Sequence, residues 1–199
     1  MKGKFSTRDF VLLALLVAVL IVLGLVNIPQ PAGLSITFNM IPVAIAAIAL
    51  GVRGGAIIGG AFGLISFLQC FGILGYSGMG AALAAISPFL SFIQRFCSRL
   101  LVGILTALVH RALRRKLNAH VCGVLTGFAA AFLNTLLFMA SLVLLFGQTE
   151  YMQGLIAGRG VMAFIIASVG VNAVVEMIVA AVLTGAISAA LHKAKLIES

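Results

Sequence analysis

The sequence predicts an all-α membrane protein: a bundle of six transmembrane helices with both termini cytoplasmic. Three observations lead there. Hydrophobic residues make up 63% of the chain and charged ones 9%, with a mean hydropathy of +1.26, whereas soluble globular chains are about 25% charged. Apolar runs at residues 10–27, 36–50, 55–74, 83–109, 120–147 and 161–191 are separated by charge or by proline and glycine. A crossing helix needs roughly 17 to 25 residues, so these are six spans, the second of them short. Finally, ten of the thirteen basic residues share one side if the helices alternate. They are Lys2, Lys4 and Arg8 before span one, Arg53 between two and three, Arg111, Arg114, Arg115 and Lys116 between four and five, and Lys193 and Lys195 after six. By the positive-inside rule that side is the cytoplasm, and Arg159 is the one Lys or Arg in the outer loops at 28–37, 75–82 and 148–160. The net charge of +9 therefore reports orientation in the cell membrane, and no nucleic-acid partner is expected. Little chain remains for a soluble part, so residues 1–199 are expected to be a single integral membrane domain.

Span one follows "MKGKFSTRDF", a start shared by signal peptides, but its apolar run of about 18 residues exceeds the 7 to 15 of a cleavable segment. It is expected to be a retained helix. Ala14 and Ala18 place two small residues four apart on it, a spacing that lets a neighbouring helix approach closely. In "VNIPQPAGLSITFNMIP", Pro29 and Pro31 disfavour helix for the residues before them, so the outer connection is extended or turned and leads through Asn39 into span two.

Gly51, Gly55, Gly59 and Gly63 recur every fourth position and predict a continuous small-residue face at the start of span three, used for tight packing inside the bundle. The next outer loop, "CFGILGYSGMG", combines Gly and Ser with Tyr76 and is read either as a lid or as a plain connection.

Span four carries Ser87, Ser91, Gln94, Arg95, Ser98 and Arg99, three or four apart and so on one face. Span six repeats the pattern with Ser168, Asn172, Glu176, Ala180 and Thr184, and span five holds Asn134 and Thr135 near its middle. Polar stripes are expensive against lipid, so all three are expected to converge inward. Spans four and six run in the same direction. Counted from Ile86 and Val161 at about 1.5 Å per residue, Arg95 lies ~14 Å deep, Arg99 ~20 Å, Asn172 ~17 Å and Glu176 ~22 Å. Arg99 and Glu176 are thus level and are expected to pair, with direct ligand contact the alternative role for Glu176.

Two arginines then face one glutamate at mid-membrane. Arg95 lacks a protein counter-ion unless the carboxylate is shared, and a ligand carboxylate would relieve the imbalance through charge-assisted hydrogen bonds. The alternative is that Arg95 reaches backbone carbonyls or snorkels to headgroups. Arg95, Ser91, Asn39, Asn134, Asn172 and Tyr76 are the candidate contacts for a small anion.

Cys70, Cys97 and Cys122 show no metal-ligand spacing and are read as packing residues, while His110, His120 and His192 flank cytoplasmic helix ends. No phosphate-binding G-x-x-x-x-G-K-[ST], no H-E-x-x-H and no G-x-S-x-G occurs. Neither enzyme activity nor a metal or other cofactor is expected. At 199 residues the chain is also small for a transporter of two repeated halves. A binding bundle energised from elsewhere fits best.

The residues resemble a known family, the substrate-binding S components of energy-coupling factor (ECF) vitamin importers. "ITFNMIPVAIAAIALGVRGGAIIGGAFGLISFL" looks like the family's second and third helices, "SPFLSFIQRFCSRLLVGILTAL" its fourth, "LNTLLFM" its fifth and "VNAVVEMIVAAVL" the asparagine-to-glutamate element of its sixth. The resemblance implies a vitamin ligand in an outward-facing pocket lined by helices four to six and capped by the first and third loops. It implies that Ala14 and Ala18 dock the chain on a transmembrane coupling subunit driven by two cytoplasmic ATPases, and that import proceeds by toppling in the lipid. The arginine of helix four, Asn134 and the Asn172-to-Glu176 spacing are most similar to pantothenate-type members, and Asn39 departs from the histidine expected there. Two other readings compete: an autonomous ion-coupled permease or channel for a small anion, and a scaffold whose small-residue faces serve only partner helices.

Overall fold

The computed structural model of the chain describes residues 5–25, 28, 29, 35, 36, 38–156 and 161–194; the side chains of 28, 29, 35, 36, 161–169, 171 and 172 lie outside that description. Lys2, Lys4, Arg159, Lys195 and the side chains of Ser168 and Asn172 therefore fall outside the described residues.

Helix α1, Thr7–Leu25, starts on a reciprocal cap: the Ser6 amide donates to Asp9 Oδ2 at 2.9 Å and the Asp9 amide to Ser6 Oγ at 3.3 Å. It turns Leu13, Leu16, Leu20 and Gly24 inward. The opposite face is exposed and carries Phe10, Val11, Leu15, Val22 and Leu25, with Ala14 and Ala18 among them. The connection after α1 contains two short strands, β1 at Ile28–Pro29 and β2 at Ser35–Ile36, paired antiparallel, which fits the extended path the prolines require.

Expected spans two and three form one element, α2, Met40–Leu68, continued by a 3-10 turn at Gln69–Phe71. It is broken at Gly51, whose φ of 64° and ψ of −153° suit a residue without a Cβ. The chain folds back there: a Cβ on Gly54 would stand 2.9 Å from the Ala46 carbonyl oxygen, eight residues earlier. By length and composition, five helices among the described residues can cross a membrane: Thr7–Leu25, Met40–Phe71, Pro88–Leu113, Ala119–Phe146 and Ala173–Lys193. The difference from the expected six lies wholly at Gly51, because the 11 residues of Met40–Leu50 reach only about 16 Å against a hydrocarbon core of about 30 Å.

Gly51 is thus the fold-back point, with nothing near its missing Cβ, while Gly55, Gly59 and Gly63 do line a packing face. A Cβ on Gly59 would meet the Arg99 carbonyl oxygen at 2.6 Å and one on Gly63 the Phe96 Cα at 2.8 Å. Gly55 and Gly103 each face the other's carbonyl oxygen in direct contact. No side chain fits between these helices, so glycine is a requirement of the crossing.

Expected span four, 83–109, is two pieces. Helix α3, Gly78–Ile86, ends at Ser87, which is extended because Pro88 is the next residue. Ser87 Oγ accepts from the Leu90 amide at 3.3 Å and starts α4, Pro88–Phe92, which runs through a π-helical turn at Ile93–Cys97 into α5, Ser98–Leu113. Helix α6, Ala119–Phe146, is capped by Asn118, α7 spans Glu150–Ile156, and α8 spans Val161–Lys193. Gly127 of α6 abuts the Ala180 carbonyl and Thr184 of α8, and Gly123 abuts Ser188.

His110 does more than flank a helix end. Its ring is buried at the end of α5, with Nδ1 3.0 Å from Thr126 Oγ1 and 3.4 Å from Cys122 Sγ, and so joins α5 to α6. Cys70, Cys97 and Cys122 are free thiols, two of them buried. Two apolar clusters result. One lies among α1, α2, α5, α6 and α8 and includes Phe62; the other joins α3, the C-terminal part of α6 and α7, with Phe138 packed against it.

Candidate functional site

The arginines lie between those clusters. A π-helical turn inserts an extra residue into an α-helix and rotates the turns beyond it, and such insertions concentrate at functional sites. Here it contains Gln94 and Arg95, and it delivers Ser91, Gln94, Arg95, Ser98 and Arg99 to the interior, all buried. Arg95 Nη1 donates to Ser66 Oγ of α2 at 3.0 Å and Nη2 to Ser77 Oγ at 3.1 Å. Ser77 also caps α3, accepting from the Gly80 amide at 3.2 Å. Gly80 stays bare for a reason: a Cβ there would stand 2.7 Å from Arg95 Nη2.

Arg99 Cζ lies 4.6 Å from the Phe138 ring centroid and 5.3 Å from that of Phe62. Arg95 Cζ lies 5.8 Å from the same Phe138 ring. Two like charges therefore share one aromatic ring, which offsets part of their repulsion. Arg99 feels the like charge of Arg95 and, more weakly, the opposite charge of Glu176, which is half-buried on α8.

Among the described residues, buried polar atoms with no hydrogen-bond partner include Ser91 Oγ, Gln94 Oε1 and Nε2, Arg95 Nε, and Arg99 Nε and Nη1 along the helix that carries the arginines, and Asn39 Oδ1 at the start of α2. Each such group costs about 1 to 3 kcal/mol when left unmet, and more when charged. Five of the seven are donors or hydroxyls and three belong to guanidinium groups, so the set favours an acceptor-rich, negatively charged guest. No group of three or more His, Cys, Asp or Glu that could hold a metal ion occurs among the described residues.

The expected contacts are distributed unevenly. Asn39 is buried at the start of α2 and makes no capping bond with its side chain. Asn134 is half-buried on α6, and Asn172 lies on α8 with its side chain outside the described residues. Tyr76 is 65% exposed, beside Ser77 in the connection to α3. Ser66, Ser77, Phe62 and Phe138 are not among the candidates that the sequence offers, and Gln94 stands out there only as part of the stripe. Serine and phenylalanine are too common in apolar helices to be conspicuous, but the i, i+3 spacing of Gln94 from Ser91 is a readable sign.

Residues 8–188 match the family described as ECF transporter, substrate-specific component. The chain belongs to this family. Over nearly their whole lengths two relatives align with this S component. It is 32% identical to the pantothenic acid transporter PanT of Lactococcus lactis subsp. cremoris, covering 96% of this chain and 97% of the relative. It is 29% identical to the pantothenate transporter PanT of Leuconostoc mesenteroides subsp. mesenteroides, covering 94% and 91%. Membership makes it the substrate-binding part of a transporter, which is not an enzyme, and implies association with an ECF module and a small-molecule substrate. Several of its helices are long and apolar enough to cross a membrane, as expected of a multi-pass membrane protein.

Proposed function

We propose that this S component binds pantothenate at the outer side of the cell membrane and delivers it to an ATP-driven ECF module. The observation that carries this is the pair of buried guanidinium groups with unmet N–H donors, on a chain akin to two pantothenate transporters. Arg95 takes the vitamin's carboxylate through Nε and by exchanging one of its serine partners, and Arg99 adds positive charge from below. Glu176 neutralises Arg99, which leaves one net positive charge for a monocarboxylate. Ser91, Asn39, Asn134 and Asn172 serve the hydroxyl and amide groups, and Tyr76 closes over the entrance.

The termini are cytoplasmic, and residues 1–199 act as one binding domain. Six crossings result if Met40–Leu50 counts as a short one that reverses at Gly51, and the fold-back of Gly54 onto Ala46 supports that reading. Ala14 and Ala18, exposed on α1, receive the transmembrane coupling subunit, which two cytoplasmic ATPases drive.

Titration and uptake together test the proposal. The purified chain binds pantothenate, vesicles holding this chain alone accumulate none, and vesicles that also hold an ECF module accumulate it when ATP is supplied inside. Uptake by the chain alone would favour an autonomous permease instead.

A further inference from the structure

Glutamine in the interior of a helical bundle normally spends its amide on the backbone, and this protein contains an example. Buried Gln69 donates from Nε2 to the carbonyls of Gly24 and Leu74, both at 3.1 Å. Gln94 does the opposite. It is 0% exposed, yet neither Oε1 nor Nε2 has a hydrogen-bond partner. A neutral side chain that only filled space would be better replaced by methionine or leucine, since a buried, unmet amide is destabilising in the empty protein. Gln94 also shares its turn of helix with Ser91 and Arg95, whose Oγ and Nε are unmet in the same way, at the point where the helix is locally rewound.

A primary carboxamide offers one acceptor and one donor side by side on a single edge. Its best complement is a group with a donor and an acceptor on one edge as well. A trans secondary amide does not qualify, because its N–H and C=O point in opposite directions. A hydroxyl on the carbon next to a carbonyl does: the O–H donates to Oε1 while the carbonyl oxygen accepts from Nε2. We propose that Gln94 is a specificity-determining residue that recognises an α-hydroxy carbonyl edge on the substrate. The inference rests on the pantothenate assignment and deepens it, because the acyl half of that vitamin carries a hydroxyl next to its amide carbonyl, at the end away from the carboxylate that the arginines attract.

Calorimetric titration of the purified full-length protein tests it with two ligands, pantothenate and its analogue lacking the α-hydroxyl, on wild type and Gln94→Met. Wild type prefers pantothenate by about tenfold or more, because a site built to bond a hydroxyl rejects the ligand that lacks it. Gln94→Met loses about tenfold or more for pantothenate and several-fold less for the analogue, which keeps only the carbonyl bond to Nε2, so the preference shrinks. Ligand-free Gln94→Met melts about 2 °C or more above wild type, since an unmet amide has been removed. Equal loss for both ligands, or no loss, overturns the role of Gln94. If the variant fails to fold, Gln94→Leu replaces it, and the wild-type comparison decides alone: equal affinity for the two ligands overturns the inference. If wild type binds no pantothenate, the vitamin assignment fails first, and a ligand-free melting point of Gln94→Met below wild type then shows that Gln94 is structural.

Discussion

Arg95 Nη2 donates to Ser77 Oγ across 3.1 Å, and the same oxygen accepts from the Gly80 amide. One buried cation thereby holds the start of α3 and the connection that leads to it. A carboxylate arriving at Arg95 competes with Ser77 for the same N–H group, so binding and the position of that connection are coupled.

Ser77→Ala removes the tether and the α3 cap together. The expected result is faster amide exchange across residues 72–80 of the ligand-free protein and ligand association at least as fast as in wild type, because the carboxylate no longer competes with Ser77 for Nη2. The loss of one cap and one charged hydrogen bond is worth about 1 to 3 kcal/mol. Exchange unchanged across that segment would show that the tether does not restrain it.

Phe138→Leu separates aromatic screening from apolar bulk. Both guanidinium groups lie over this ring, at 4.6 and 5.8 Å, and each contact contributes about 0.5 to 2 kcal/mol. Leucine keeps the packing on the second apolar cluster but removes the π face. Thermal stability of the ligand-free protein is expected to fall, and Phe138→Tyr to restore it. Failure of tyrosine to restore it would assign the loss to shape alone.

Gly103→Val puts a branched side chain where Gly55 presents its carbonyl oxygen. Backbone bears the clash, so little can relax, and the loss should exceed the ~1 to 3 kcal/mol typical of overpacking. Folded yield in detergent is the measurement. A well-folded, stable variant would contradict the close crossing of α2 and α5.

Ala14→Leu with Ala18→Leu enlarges an exposed face of α1 without touching the arginines. Pantothenate affinity should remain within about twofold, while co-purification with an ECF module and ATP-dependent uptake are lost. Loss of ligand binding in the isolated variant would place these alanines in the fold instead.

Much of this architecture can be read from the chain. Hydropathy locates α1, α6 and α8 to within a few residues, because lipid imposes a length on each. Hydropathy does not place the fold-back, since a reversal at Gly51 depends on one backbone conformation inside an uninterrupted apolar run. Pro88 marks the true start of the Pro88–Leu113 span, yet apolar residues on both sides of it conceal the break at Ser87. At the site, charge in a membrane is rare enough to identify Arg95 and Arg99 directly. Their partners Ser66, Ser77 and Phe138 come from other elements and are ordinary residue types, so only tertiary structure reveals them.

The most direct test of an anion site in this bundle is titration of wild type and Arg95→Ala with pantothenate and with its neutral alcohol, which replaces the carboxylate by a hydroxymethyl group. Wild type should bind the acid far more tightly than the alcohol. Arg95→Ala should weaken the acid by about a hundredfold or more and the alcohol by under about threefold, as truncating one member of a buried charge pair requires. Equal affinity of wild type for acid and alcohol, or equal weakening of both by the substitution, would contradict an anion site built on buried guanidinium.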